Sequence, residues 1–183
     1  MGQDIEWFDH PGGEPAVVVP ASPRWAEEAA DWLRRIGEAL AEPAVRLEHV
    51  GSTAVPGLPA KPVLDLLVAV PRLDDEASYR PALESLGLVL RAREPGHRFF
   101  RPPAGEPRTV HVHVCEAGSV WESDQLCFRD ALRADTGTAR AYARLKQHLA
   151  ATVGHDRAAY TSGKSEFIRS VLAECRFGAE EAP

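Results

Sequence analysis

A chain of 183 residues has the length of one ordinary domain and can bury a core without help from a disulfide or a structural metal. Its formal net charge of −6 offers no broad basic face to a phosphate backbone, which argues against duplex nucleic acid as a partner and leaves small anions at local basic spots. Three widely spaced cysteines, Cys115, Cys127 and Cys175, predict no disulfide framework. The acidic, polar opening and the lack of about 18 unbroken apolar residues predict a cytoplasmic protein with no secretion signal and no membrane contact.

Residues 1–20 hold several prolines and glycines and predict a loosely held arm, with Ala16 to Val19 adding an edge strand. Residues 21–177 are expected to form a single domain, and 178–183 a mobile tail. Ser22 and Pro23 open a helix whose apolar face is Trp25, Ala29, Trp32, Leu33, Ile36 and Leu40, running to about Ala41. Val45 to Val50 and Pro62 to Val70 predict two buried strands joined by a special turn at Gly51-Ser52-Thr53. Leu73 to Leu86 predicts a helix closed by Gly87. Strands follow near Leu88 to Arg91, Arg98 to Arg101 and Thr109 to Cys115, with Pro102 to Pro107 turning the chain back between the last two. From Ser119 the pattern is helical over 119–134, 138–152 and 157–176. The whole predicts a mixed α/β (α+β) domain.

Candidate chemistry gathers on the paired strands. A Gly-Ser turn at a strand end gives a phosphate close backbone approach and hydrogen-bond donors. Asp65 lies in an otherwise apolar strand, where an unpartnered carboxylate is costly. His111 and His113 are two apart and share a strand face. If their strand lies beside that of Asp65, the three converge as a candidate metal or catalytic centre, with His49 as a possible fourth member. Arg129 and Arg133, four apart on a helix, form a candidate clamp for phosphate or carboxylate. The chain has only three lysines, Lys61, Lys146 and Lys164, in an arginine-rich sequence, a hint that an amine is wanted at each. His97, His148 and His155 read as surface residues, and Trp25, Trp32, Phe99, Phe128 and Phe167 as core.

The segments LEHVGSTAVPGLPAKPVLDLLVAV at 47–70, HRFFR at 97–101, HVHV at 111–114, FRDALR at 128–133 and the Tyr160, Lys164, Phe167 spacing resemble the GrpB family over nearly the whole chain beyond about residue 17. The resemblance implies a nucleotidyltransferase-type fold: a mixed β-sheet flanked by helices, with a C-terminal helical segment. Gly51, Ser52 and Asp65 match that fold's motif. Its second carboxylate is replaced by Leu67, and a later one by a histidine, His113. The implied two-magnesium triad is therefore missing, and histidine ligands shift preference towards zinc, manganese or cobalt.

The resemblance implies an enzyme that transfers a nucleotidyl group from a nucleoside triphosphate to a small-molecule acceptor. Asp65, His111 and His113 would serve catalysis or hold a divalent metal (magnesium, manganese or zinc). Gly51, Ser52, Thr53, Lys61, Arg129, Arg133 and Lys164 would bind the nucleotide. Two alternatives stay open: a non-catalytic nucleotide or anion-binding module, and an enzyme using the fold for acyl-transfer or ligase chemistry with a histidine base.

Overall fold

The computed structural model describes residues 5–8, 15–40 and 44–180. Among these residues six strands, β1 (Glu6–Trp7), β2 (Arg46–Val50), β3 (Leu64–Val70), β4 (Val89–Glu94), β5 (His97–Arg101) and β6 (Val110–Glu116), form one sheet in the order β1-β4-β5-β6-β3-β2. β3 and β6 run parallel, and the other strand pairs among the described residues are antiparallel. The described helices α1 (Arg24–Ala39), α2 (Arg80–Ser85), α3 (Val120–Ala134), α4 (Thr136–Val153), α5 (Arg157–Ser162) and α6 (Ser165–Glu180) accompany it. This is the mixed α+β architecture that the sequence predicts.

Strand alternation divides the sheet into two unlike faces. Leu64, Leu66, Val68 and Val70 of β3 and Val110, Val112 and Val114 of β6 join Trp25, Ala29 and Ile36 of α1 and Leu83 of α2 in the largest core cluster. Burial of Ile36, with none of its surface exposed, contributes about 2–3 kcal/mol. On the opposite face Leu67, Ala69 and Cys115 pack with Val50, Trp121 and Leu126. Further along, Phe128, Tyr142 and Phe167 bind α3, α4 and α6 into a third cluster.

The helix starts are written locally. Ser119 accepts from the Glu122 amide while Glu122 accepts from the Gly118 amide, a reciprocal cap that begins α3. Asp135 accepts from the Gly137 and Thr138 amides at α4, and Asp156 from the Ala159 amide at α5.

Four expectations need correction. The helix predicted over 73–86 shrinks to α2, preceded by a 3-10 turn at Glu76–Ser78. Pro81 disfavours a helical residue before it and lacks an amide to continue one, and Glu76 is held by Arg93 and Arg98 from β4 and β5. The segment at 157–176 is two helices, broken at Gly163, where an added Cβ would meet the Leu149 side chain at 2.6 Å. Ala16 to Val19 contributes one isolated bridge, Val19 to Ala60, whereas Glu6–Trp7 supplies the edge strand beside β4. Cys127 and Cys175 are joined in a disulfide, against the expectation of none, because α3 and α6 lie side by side and bring together residues 48 apart in the chain. Cys115 is free and buried.

α6 runs to Glu180, so the predicted tail at 178–183 begins inside a helix, and 181–183 lie outside the described residues. Among the described residues no helix is long and apolar enough to cross a membrane.

Candidate functional site

The parallel register of β3 and β6 sets Asp65 beside His111 and Leu67 beside His113. Their side chains stand on the face away from α1, at the end of the sheet where β2 enters its turn. Asp65 Oδ1 lies 3.2 Å from His111 Nδ1 and 3.3 Å from His113 Nε2. Gly51 makes that arrangement possible. Its φ of 69° with ψ of −167° belongs to a region essentially reserved for glycine, and a Cβ there would approach the Asp65 Cβ to 2.9 Å. The turn then hands Ser52 to the same surface, beside Asp65 and His111.

Burial by itself would raise the Asp65 carboxyl, but the hydrogen bonds and charges of His111 and His113 outweigh it and hold the group far below the usual carboxylate range. Asp65 is thus an ionised anchor. Behind it, the Thr53 hydroxyl donates to the Val63 carbonyl at 3.2 Å, so it accepts from His49 Nε2 at 2.9 Å. Burial, against the pull of Asp65 and with help from Arg133 and Arg129, lowers His49 to about 4; this histidine is a neutral support for the turn.

Beside Asp65 opens a cavity of about 170 Å³ lined by Ser52, Lys61, His111, Lys146, Arg157, Tyr160 and Lys164, among others. Four basic side chains therefore meet one carboxylate. Lys146 is 2% exposed and donates to the Pro59 carbonyl at 2.6 Å. Burial, then the charge of Lys164, pushes its amine down to about 7 against a partial restoring pull from Asp65. Lys164 is lowered too, by burial first and then by Arg157 and Lys61, with Asp65 opposing. Burial is the leading cause for both amines and neighbouring cations add to it, so an anion bound in the cavity would favour their charged forms.

The structure brings Gly51, Ser52, Lys61, Asp65, His111 and Lys164 together, with His113 against Asp65, and keeps Thr53 in support. All three lysines line the cavity. The two arginines of the candidate clamp lie elsewhere: Arg129 reaches Glu48 at 2.7 Å and the His49 carbonyl at 3.1 Å, and Arg133 donates to the Ala54 carbonyl at 2.9 and 3.0 Å. Both arginines hold β2 and its turn in place.

Sequence reading missed Arg157, which only the α5 corner brings in, and misplaced His97. His97 is buried, with its Nε2 3.0 Å from His113 Nδ1 and its ring stacked on Trp121 at 4.5 Å. Phe99, read as core, lies against His111 and His113 at 4.9 and 5.3 Å. The alternation of His97 and Phe99 on one strand face was the available signal; the pairing of β5 with β6 was not.

One carboxylate and two imidazoles place their donor atoms within 4.8 Å of one another. The pair of magnesium ions that the fold family implies does not fit, since Leu67 is fully buried among apolar neighbours where a second carboxylate is needed. A single ion that accepts nitrogen ligands, such as zinc or manganese, fits the donor set.

A mixed six-stranded sheet with a glycine-serine turn against a strand carboxylate, and a cavity lined by basic side chains beside it, defines the class of α+β protein to which this chain belongs. The family model described as GrpB protein matches residues 15–174, and the chain belongs to the GrpB family. It is similar to a UPF0157 protein of Streptomyces coelicolor, 41% identical over 171 residues, 92% of this chain and 90% of that one. It is also similar to the crystal structure of the conserved protein GrpB from Enterococcus faecalis, with a TM-score of 0.79 at 28% identity over 90% of this chain and all of that one. A protein of Mycobacterium tuberculosis named dephospho-CoA kinase is 30% identical over 182 residues, 84% of this chain and 44% of its own length.

Proposed function

We propose that the chain binds the phosphates of a nucleoside triphosphate in the cavity between Ser52 and Lys164 and transfers its nucleotidyl group to a small-molecule acceptor. The observation that carries this reading is the ring of four basic side chains around Asp65 beside the Gly51-Ser52 turn. In it, the open backbone at Gly51 and the Ser52 hydroxyl orient a phosphate, and Lys61, Lys146, Lys164 and Arg157 compensate its charge. Asp65, held ionised, is a poor proton acceptor and a good anchor. A divalent ion on Asp65, His111 and His113 would supply Lewis-acid polarisation of a phosphoryl oxygen. The relative named dephospho-CoA kinase lends support only for a phosphate-bearing ligand class, since this chain corresponds to less than half of it.

Buried Leu67 favours a second reading, a non-catalytic module that holds the same anion without consuming it. One assay separates the two: the protein is incubated with ATP, CTP, GTP and UTP, each with manganese, zinc, magnesium or EDTA, and pyrophosphate release is followed beside nucleotide binding. Turnover lost in Asp65→Asn is the expected result. Binding without consumption, indifferent to EDTA, would assign the module instead, and neither binding nor turnover would end both readings.

A further inference from the structure

A hydrogen-bonded chain leads away from the centre and ends on a carboxylate. His113 turns Nε2 to Asp65 and Nδ1 to His97 Nε2, 3.0 Å away. His97 in turn points its Nδ1 at Glu94 Oε2, 3.6 Å away, too far for a hydrogen bond. That Nδ1 is buried with no hydrogen-bond partner. The His97 ring is clamped between neighbours: it stacks on Trp121 at 4.5 Å and on His113 at 5.2 Å, and it is 6% exposed. A buried imidazole so firmly placed, with one nitrogen engaged and the other idle beside a carboxylate, needs an explanation.

We infer that Glu94 and His97 are positioning residues that select the tautomer of His113 and hold its Nε2 ready for a divalent transition metal. The inference deepens the metal part of the reading above and rests on it. Without an ion, hydrogens run from His97 Nε2 to His113 Nδ1 and from His113 Nε2 to Asp65 Oδ1. With an ion on His113 Nε2, that nitrogen carries no hydrogen, and its hydrogen must sit on Nδ1 and point to His97 Nε2. His97 then carries its own hydrogen on Nδ1, facing Glu94. Each ring keeps one hydrogen, and each hydrogen moves one place towards the carboxylate. The idle nitrogen of His97 is thus the position filled in the metal-bound arrangement. Such outer partners orient a ligating histidine and raise its basicity, and their loss weakens metal binding by about 10–100-fold.

The test uses cobalt(II) as a spectroscopic stand-in, titrated into the full chain and followed by its visible absorption, with the melting temperature of the ion-free protein alongside. His97→Phe keeps a flat ring between Trp121 and His113 but removes both nitrogens; His97→Gln keeps a group able to accept from His113 Nδ1. Wild type is expected to bind cobalt with a visible ligand-field band. His97→Phe should bind about 10–100-fold more weakly with an altered band and a melting temperature within a few degrees of wild type, His97→Gln should recover part of the affinity, and Glu94→Gln should show a smaller loss. Cobalt affinity and spectrum unchanged in His97→Phe would overturn the positioning role while leaving the metal reading standing. Absence of any cobalt binding by wild type, with Asp65→Ala indistinguishable from it, would overturn the metal reading and this inference with it.

Discussion

Two clusters of charge on this molecule differ in how they are balanced. Around Glu76 every charge is answered: the carboxylate accepts from Arg93 at 2.6 and 2.7 Å and from Arg98 at 2.8 Å, Arg98 reaches Asp74 at 2.7 Å, and Arg93 reaches Glu6 at 2.9 Å. The hydrogen bond from Arg93, followed by that from Arg98, outweighs burial and brings Glu76 to about 2, and Arg93 is raised in return. Around Asp65 burial depresses the Lys146 and Lys164 amines instead, with the neighbouring cations adding to it. The first arrangement stabilises the junction of α2 with β4 and β5 and has no use for a ligand. The second is a cavity whose electrostatics a bound anion would complete.

The largest expected effect comes from removing the glycine that lets the cavity form. Gly51→Ala places a Cβ against Asp65 in a backbone region only glycine tolerates, and should cost about 3–5 kcal/mol by denaturant midpoint while abolishing anion binding. Next is the pH dependence of Lys146, whose amine falls from 10.5 to about 7 on folding. Between those values the unfolded chain holds the extra proton, so stability rises with pH through that window and is level at its lower value beneath it. Replacing Lys146 by Met should flatten that slope, read as melting temperature against pH.

Glu76→Gln tests the other side of the comparison. It should cost about 1–2 kcal/mol and leave anion binding intact. Because Glu76 is depressed from 4.5 to about 2, its contribution is complete above pH 4.5 and disappears as pH falls through 2. Asp135→Ala, which removes the cap of α4 outside both clusters, should lower the melting temperature slightly and leave binding unchanged; a loss of binding there would show that the two regions are not separable in the way described.

Local pattern made much of this legible. The apolar face of α1, the run at β3 and the polar interruption at Asp65 all follow from one-dimensional spacing, and the Gly51-Ser52 turn could be marked as special before its φ was known. The scarcity of lysine carried more than expected, since all three amines line one cavity. What depended on register or on side-chain partners from distant strands stayed hidden. The alternation of His97 with Phe99 marks a shared strand face, but only the pairing of β5 with β6 puts His97 against His113. The helix expected over 73–86 failed because Pro81 and the arginine partners of Glu76 override its periodicity, and the partners of Arg129 and Arg133, Glu48 and the Ala54 carbonyl, lie 81 and 79 residues away in the chain. The Cys127–Cys175 bond needed the packing of α3 on α6.

Calorimetric titration of a nucleoside triphosphate at pH 8, in two buffers of different ionisation heat, tests the cationic cavity most directly. A bound anion favours the charged amines of Lys146 and Lys164, so binding is predicted to take up protons, to weaken as pH rises, and to fall at least tenfold in Lys146→Met and again in Lys164→Met. Binding of equal strength in the double variant with no proton uptake, or no binding of any of the four triphosphates or of pyrophosphate, would contradict it.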